Sequence, residues 1–384
     1  MIYLLLAVIY IAFVGLGLPD SLLGAAWPSM YETLNVPVSY MGGISMIIAF
    51  CTVLSSLMSD RLTRRFGAGP VTAVSTAVTT AALFGFAASR EYWMLTLWAV
   101  PFGLGAGNVD AALNNYVAIH YESKHMSWLH GMWGLGTIIG PNVISHALTG
   151  GMHWNEGYRA VGFIQIGLTA ILVLSLPLWK KRGTAGGRAA GKPLSMAQIL
   201  RIPGVKPLML GPCFCYCALE QTAMLWGSSY LVLHCGILPE TAALFAAMFL
   251  IGMTAGRFAN GFLTLKLADS QLIRMGEIVI AAGVALMFLP FGSAVKLAGL
   301  MLIGLGCAPI CPCTMHATPG YFGAEHSQAI IGLQSAASYL GILSMPPLFG
   351  LIANHIDVSL FPVYMLLILI VLVIAHERLL KKVR

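Results

Sequence analysis

Apolar runs of about 20 residues, the length a helix needs to cross a bilayer, follow one another along almost the whole chain. Only short polar breaks separate them. A soluble domain is roughly a quarter charged, whereas this chain is 9% charged and 58% hydrophobic. The pattern predicts an all-α polytopic membrane protein and excludes a soluble globular enzyme and a disordered chain.

The breaks divide the 384 residues into twelve predicted membrane-spanning segments, numbered here as spans 1 to 12. These spans are expected at residues 2–30, 39–59, 70–89, 92–121, 127–149, 158–179, 205–233, 238–264, 271–291, 294–318, 326–353 and 358–377. The longest break is glycine-rich and basic, which is typical of a linker. We therefore expect an N-terminal half at 1–180, a cytoplasmic linker at 181–204, and a C-terminal half at 205–384 with a short tail.

The basic residues indicate an orientation. If the N-terminus is cytoplasmic, 18 of the 21 lysines and arginines fall on the cytoplasmic side, and the other side holds Arg90, Arg159 and Lys296. This asymmetry predicts that both termini are cytoplasmic. It also explains the net charge of +7 without a nucleic-acid partner. The short breaks and the absence of organelle features favour a bacterial inner membrane, with lipid and a small-molecule substrate as partners.

Similar motifs recur in the two halves. Gly103-Leu104-Gly105 in span 4 matches Gly304-Leu305-Gly306 in span 10, with an offset of 201 residues. Small residues let helices pack closely, which explains the glycines but not the shared offset. The repeat predicts two pseudo-symmetric six-helix bundles with a substrate site near the midplane, as in secondary transporters.

The stretch from Ser56 to Arg65, at the end of span 2, resembles the loop signature G-x-x-x-D-R-x-G-R-R of the major facilitator superfamily. Ser56 and Thr63 stand where that signature has glycine. The resemblance implies that four residues of the stretch form a conformational latch: Asp60, Arg61, Arg64 and Arg65. Alternatively, the arginines only set the topology.

Other motifs resemble the fucose–proton symporter branch of that superfamily. Span 1 contains Leu18-Pro19-Asp20, and span 4 contains Asp110 and Asn114 after its glycine motif. The resemblance implies proton-coupled symport of a sugar by alternating access. It also implies a monomer that needs no cofactor apart from protons as the coupling ion.

Three acids lie in mid-span: Asp20, Asp110 and Glu220. A charged group there costs several kcal/mol unless it is protonated, paired or hydrated. None has a basic residue within four positions, and none of the three spans has one near its centre. We therefore predict that Asp20 and Asp110 carry the coupling protons. The alternative is that each acid makes a polar contact between helices.

Amide and aromatic side chains within the spans suit a sugar, whose hydroxyls bind amides and whose C–H faces stack on rings. The predicted substrate-binding residues are Asn114, Asn115, Glu220, Gln221, Trp226, Gln334 and Tyr339. Helix–helix hydrogen bonds are the alternative for each amide. His130 could sense pH or simply pack near a helix end.

Two other transport functions stay open. One is proton-driven export of amphipathic compounds, which would need a large aromatic and methionine surface. The other is copper transport, since soft Cys and Met ligands suit Cu(I). However, Cys213, Cys215 and Cys217 cannot all face one ion, because positions i and i+2 point about 200° apart on a helix. We expect no metal site. We expect no enzyme, because no nucleophile–base pair, P-loop or HExxH motif is found.

Overall fold

The computed structural model describes residues 2–37, 40–180, 194–237 and 239–383. These residues are helical almost throughout and contain no strand. Within them, nine helices are long and apolar enough to cross a membrane. Three further long helices, Tyr92–His120, Ser123–Thr149 and Pro239–Leu263, complete twelve spans. The all-α polytopic fold with two pseudo-symmetric six-helix bundles is thereby confirmed.

The first six spans contain seven helices. They are α1 (Ile2–Asp20), α2 (Leu22–Thr33), α3 (Tyr40–Phe66), α4 (Ala68–Ala88), α5 (Tyr92–His120), α6 (Ser123–Thr149) and α7 (Trp154–Lys180). Part of the predicted linker, residues 181–193, lies outside the described residues.

The last six spans follow the short helix α8. The elements are α8 (Met196–Ile199), α9 (Val205–Leu208), a π-helical turn (Met209–Cys215), α10 (Tyr216–Leu233), α11 (Pro239–Leu263), α12 (Asp269–Phe288), α13 (Ser293–Cys307), α14 (Ile310–Phe322), α15 (Ala324–His355), a 3₁₀ turn (Val358–Leu360) and α16 (Phe361–Val383).

The chain forms two compact units. Unit 1 comprises Met1–Tyr116 and Leu129–Pro193, and unit 2 comprises Val117–Trp128 and Leu194–Arg384. The core of unit 1 includes Phe86 stacked on Tyr158, with ring centroids 5.5 Å apart. In the core of unit 2, Phe349 packs edge-on against Phe361 at 5.6 Å. Each unit therefore has its own apolar centre.

The repeated glycines have equivalent neighbours in the two units. A Cβ added at Gly103 would lie 2.3 Å from the carbonyl oxygen of Ile48, and one at Gly304 would lie 2.3 Å from that of Phe249. Ile48 and Phe249 are themselves 201 residues apart. The fourth span of each half therefore meets the second span at the same point, which only glycine permits.

A second pair of glycines repeats this relation against the third span of each half. A Cβ at Gly105 would lie 2.7 Å from the Ser75 carbonyl oxygen, and one at Gly306 would lie 2.6 Å from that of Gly276. Ser75 and Gly276 also differ by 201. The internal repeat seen in the sequence is therefore a repeat of helix packing.

Three spans predicted as continuous are interrupted. Span 1 breaks at Ser21, directly after Pro19 and Asp20. Span 7 contains the π-helical turn around Pro212. Span 10 breaks before Pro309. Proline lacks an N–H and clashes with the carbonyl four residues earlier, so it interrupts a helix. In transporters, broken spans commonly form the substrate and ion sites.

The signature after span 2 is helical and not a loop. Helix α3 continues to Phe66, seven residues beyond the predicted end of the span. Gly67 then has a φ of 85° and separates α3 from α4, which begins at Ala68. The prediction stopped at the first charged residues, but arginine is a good helix former. The four predicted latch residues therefore lie on the last two turns of α3.

Candidate functional site

Asp20 lies at the break in span 1, as the last residue of α1. The indole Nε1 of Trp133, on α6, donates a hydrogen bond to Asp20 Oδ2 at 2.9 Å. Asp20, Thr76 and Thr79 line a cavity of about 10 Å³. A cavity of that size holds about one water molecule. The carboxyl group of Asp20 therefore has a neutral donor and room for a water beside it.

Asp110 is paired with Asn114 one turn further along α5. Asn114 Nδ2 donates to Asp110 Oδ1 at 2.8 Å and to the Asp110 carbonyl oxygen at 3.0 Å. The two side chains share a helix face, as the spacing predicted. Asn114 is fully buried and Asp110 is half-buried.

The imidazole of His130 extends this pair. His130 Nε2 lies 3.1 Å from Asn114 Oδ1. The amide nitrogen of Asn114 faces two oxygen acceptors, so its oxygen is the atom that faces the ring. An oxygen can only accept here, so His130 Nε2 carries a hydrogen and donates it. This contact fixes the tautomer of a neutral His130.

Helix α6 contributes Trp133 to the surroundings of Asp20 and His130 to those of Asp110. His130 and Trp133 are three residues apart and therefore share one face of α6. The carboxyl groups of Asp20 and Asp110 are near enough to interact electrostatically. We call Asp20, Asp110, Asn114, His130 and Trp133 the acid network. It lies wholly within unit 1.

Sequence reasoning did not assign two members of the acid network. It left His130 open between pH sensing and packing, and it gave Trp133 no role. Their spacing of three residues at the start of span 5 was the available signal. Asn115, the adjacent predicted substrate residue, is buried on α5.

Glu220 has a basic partner that the sequence analysis missed. Arg257 lies inside α11 and is only 3% exposed. Its Nη2 is 3.9 Å from Glu220 Oε2 and donates to Tyr216 Oη at 3.5 Å. The expectation that Glu220 has no counter-ion is therefore wrong, because the partner comes from another helix 37 positions along the chain. Without Arg257, 17 basic residues remain on the predicted cytoplasmic side.

The remaining predicted substrate residues of unit 2 lie at different heights. Gln334 is fully buried and donates to Thr318 Oγ1 at 2.9 Å. Trp226 Nε1 donates to the Pro346 carbonyl oxygen at 2.9 Å. Gln334 and Pro346 are twelve residues apart on α15, which is roughly 18 Å along a helix. Gln221 and Tyr339 are both half-buried.

The predicted latch contains one close ion pair. Asp60 is buried, and Arg64 Nε donates to its Oδ1 at 2.8 Å. Arg61 and Arg65 are exposed, and the Arg65 guanidinium lies 5.2 Å from the centre of the Phe66 ring. The latch role of these four residues stays a prediction.

Helices α3 and α5 are in close contact at Ser56, the first residue of the signature stretch. Ser56 Oγ donates to the Gly107 carbonyl oxygen at 3.2 Å. A Cβ at Gly107 would lie 2.4 Å from the Thr52 carbonyl oxygen. The close approach of α3 and α5 therefore depends on a glycine of α5.

Another polar cluster of unit 2 surrounds Asp269, the first residue of α12. His316 Nδ1 lies 2.6 Å from Asp269 Oδ2, and its Nε2 lies 3.2 Å from the Tyr121 carbonyl oxygen. Ser123 Oγ donates to Asp269 Oδ1. These contacts tie the segment between α5 and α6 to α12 and α14. Sequence reasoning missed them, because they join distant positions in the chain.

No group of three or more His, Cys, Asp or Glu side chains in the described residues is arranged to hold a metal ion. Cys311 lies within electrostatic reach of Cys213 and Cys217. Spans 7 and 10 are therefore neighbours.

Twelve membrane-spanning helices in two repeated bundles, with ionisable groups inside the spans, define a polytopic membrane transporter. The chain belongs to the Major Facilitator Superfamily, whose family model matches residues 9–346. It is 24% identical over 343 residues to an uncharacterized MFS-type transporter of Yersinia pestis, covering 87% of this chain and 86% of that protein. Members of this family are transporters and not enzymes.

Two solved structures illustrate the similarity of fold. FucP in its outward conformation has a TM-score of 0.80 and 14% identity, with 97% of each chain covered. The human organic anion transporter MFSD10 has a TM-score of 0.73 and 14% identity, covering 96% of this chain and 99% of that chain. At these identities the likeness extends to the fold alone.

Proposed function

We propose that the protein is a secondary active transporter that carries a small polar solute together with protons by alternating access. The acid network of unit 1 is the observation that carries this proposal. It brings two carboxyl groups from different helices of unit 1 into electrostatic range of one another. A sugar is the expected solute.

The chemistry of the acid network suits proton exchange. Carboxyl groups within membrane spans serve as proton relays in pumps and transporters. Trp133 donates to Asp20 and Asn114 donates to Asp110. Each contact positions a carboxyl group without neutralising it, because indole and amide groups carry no charge. A proton can therefore bind or leave with little rearrangement of the helices.

The orientation and the latch belong to the same proposal. With 17 of 21 basic residues on one side, both termini face the cytoplasm of a bacterial cell, and the protein lies in the inner membrane. Asp60 and Arg64 then lie at the cytoplasmic end of α3, where their pairing stabilises one of the alternating states.

The names of fold neighbours support more than one solute. FucP of E. coli is described as a fucose:proton symporter, and another neighbour as a proton:xylose symporter. MFSD10 is described as an organic anion transporter. These names agree with a small polar solute and favour proton coupling.

Export of an amphipathic compound is the second candidate. An open groove of about 600 Å³ between α6 and α7 favours it. The lining is mainly apolar, with Ile138, Met152 and Phe163 among its residues. An exporter that uses this groove would be inhibited by Ile138→Gln, whereas a symporter that uses the acid network would not.

Proton movement on addition of a solute tests the proposal. Purified protein is reconstituted into liposomes that enclose the pH-sensitive dye pyranine, and L-fucose, D-xylose and other small metabolites are added in turn. At least one solute should acidify the lumen with wild-type protein and not with Asp20→Asn. Asp357→Asn is the control, since Asp357 is exposed and caps a 3₁₀ turn at Ser359, a role asparagine can keep. Solute uptake without proton movement would contradict the proposal.

A further inference from the structure

We propose that unit 2 contains an anion site at Arg257, and that the solute carries a carboxylate there while Glu220 takes up a proton. This inference rests on the proposed function and names the chemical class of its solute. The class is a hydroxylated carboxylate, such as a sugar acid, in place of a neutral sugar.

Two polar contacts of Arg257, to Glu220 and to Tyr216, are long for so buried a charge. Its Nη2 lies 3.9 Å from Glu220 Oε2 and 3.5 Å from Tyr216 Oη. Charge-assisted hydrogen bonds between guanidinium and carboxylate groups are about 2.7–2.9 Å long. The side chain of Arg257 is 4% exposed and that of Glu220 is 13% exposed. A charged pair inside a span normally marks a substrate or ion pathway.

The chemistry of Arg257 selects the ligand class. A guanidinium group is always charged and presents five N–H donors in a planar fork. That fork matches the two oxygens of a carboxylate, and a neutral sugar hydroxyl cannot replace both. A bound carboxylate would accept short hydrogen bonds from the Arg257 guanidinium group. It would then lie next to the Glu220 carboxyl group.

Several phenol and thiol groups lie within electrostatic reach of this pair. They are Tyr216 and Cys217 on α10, Cys307 on α13 and Cys311 on α14. Phenol and thiol groups are ordinarily neutral near pH 7. Among these six side chains, Arg257 and Glu220 therefore carry the charges.

The charge balance couples the anion to a proton. Without solute, the guanidinium and the Glu220 carboxylate sum to zero. A bound carboxylate adds one negative charge, which is costly in an apolar region. One proton passes from a hydronium ion or a buffer acid in the aqueous phase to a Glu220 oxygen: the bond between donor and proton breaks, the O–H bond of Glu220 forms, and the site is neutral again. The reverse transfer accompanies release of the solute.

The experiment compares acid and neutral forms of the same sugar. Binding of D-galacturonate and D-glucuronate, and of D-galactose and D-glucose, is measured by calorimetry on purified full-length protein at pH 6 and pH 8. We expect at least one acid to bind about tenfold or more tightly than its neutral partner, as for a hydrogen bond to a charged group. We also expect proton uptake on binding. Equal binding of acid and neutral forms, or binding of neither, would overturn the inference.

Substitutions at Arg257 and Glu220 test whether this pair causes the preference for acid over neutral sugars. Arg257→Gln should abolish the preference for the acid, and Glu220→Gln should keep the preference but lose the proton uptake. The double variant Arg257→Gln/Glu220→Gln leaves no charge unpaired, so it keeps the test valid if the single arginine variant fails to fold. Arg274→Gln and Glu377→Gln are matched controls, because these two residues form an accessible pair in the same unit. An acid preference that survives in the double variant would overturn the inference.

Failure of this inference is distinguishable from failure of the proposed function. If neutral sugars drive proton uptake through Asp20 and acids do not bind, the proposed function stands and the anion site falls. If acids bind with proton uptake through Glu220 while Asp20→Asn and Asp110→Asn behave like wild type, the anion site stands and the acid network loses its role.

Discussion

At the scale of single residues, the acid network depends on both polar atoms of the Asn114 side-chain amide. Asn114 Nδ2 donates to Asp110 Oδ1, and Asn114 Oδ1 accepts from His130 Nε2. All three groups lie within a bundle where water cannot readily replace a lost partner. Removing one partner therefore costs more than the hydrogen bond itself is worth, because a buried polar atom is left unsatisfied.

His130→Ala should lower the free energy of unfolding by about 1–3 kcal/mol, since Asn114 Oδ1 loses a donor. His130→Gln should lower it by less, because glutamine can donate an N–H to the same oxygen. Reversible unfolding in mixed micelles measures both. His146→Ala, an exposed position on the same helix, is the control. Equal losses for the alanine and glutamine variants would mean that His130 acts by packing alone.

At the scale of helices, small residues decide how closely the spans approach. Gly107 leaves space for the Thr52 carbonyl of α3, and Ser56 hydrogen-bonds to the Gly107 carbonyl. Without a hydrophobic driving force in lipid, such close packing supplies much of the association between helices. The glycines of α5 therefore position the helix that carries Asp110.

Gly107→Ala should destabilise the protein by about 1–3 kcal/mol, because its Cβ would press on the backbone of α3. Gly167→Ala should not destabilise it, since a Cβ at Gly167 meets no atom within 4 Å. Thermal denaturation of the two variants in the same detergent is the measurement. A loss of stability at Gly167 equal to that at Gly107 would show that helix propensity, and not packing, governs both.

The end of α3 carries a prediction about the latch. Asp60→Asn should impair transport in liposomes, because it removes the ion pair with Arg64. Solute affinity in detergent should stay within about threefold, since Asp60 lies on the last two turns of α3, away from the middle of the helix. Complete loss of binding in a folded variant would mean that Asp60 is not a latch.

The sequence predicts helices better than contacts between them. Apolar length gave the twelve spans, and the spacing of Asp110 and Asn114 predicted their shared face. The ends and breaks of helices were less predictable: α3 extends to Phe66 and span 1 breaks at Ser21. Arg257 and Glu220 could not be paired, because nothing in one sequence states which helices are neighbours.

At the scale of the whole molecule, topology follows from the distribution of charge. A membrane-impermeant maleimide applied to intact cells should label a cysteine at His153, an exposed residue before α7, in a variant that lacks the native cysteines. It should not label a cysteine at position 186, which lies outside the described residues. Labelling at position 186 from outside would reverse the proposed orientation.

The central claim is that Asp20 and Asp110 couple protons to solute movement. The most direct test compares accumulation driven by a pH gradient with counterflow, using one transported solute and the same proteoliposomes. Asparagine keeps the size of aspartate but cannot exchange a proton. Asp20→Asn should therefore abolish accumulation and preserve counterflow, which needs no net proton movement, and Asp110→Asn should also weaken solute binding. Accumulation against the gradient by Asp20→Asn, with unchanged proton flux, would contradict the account.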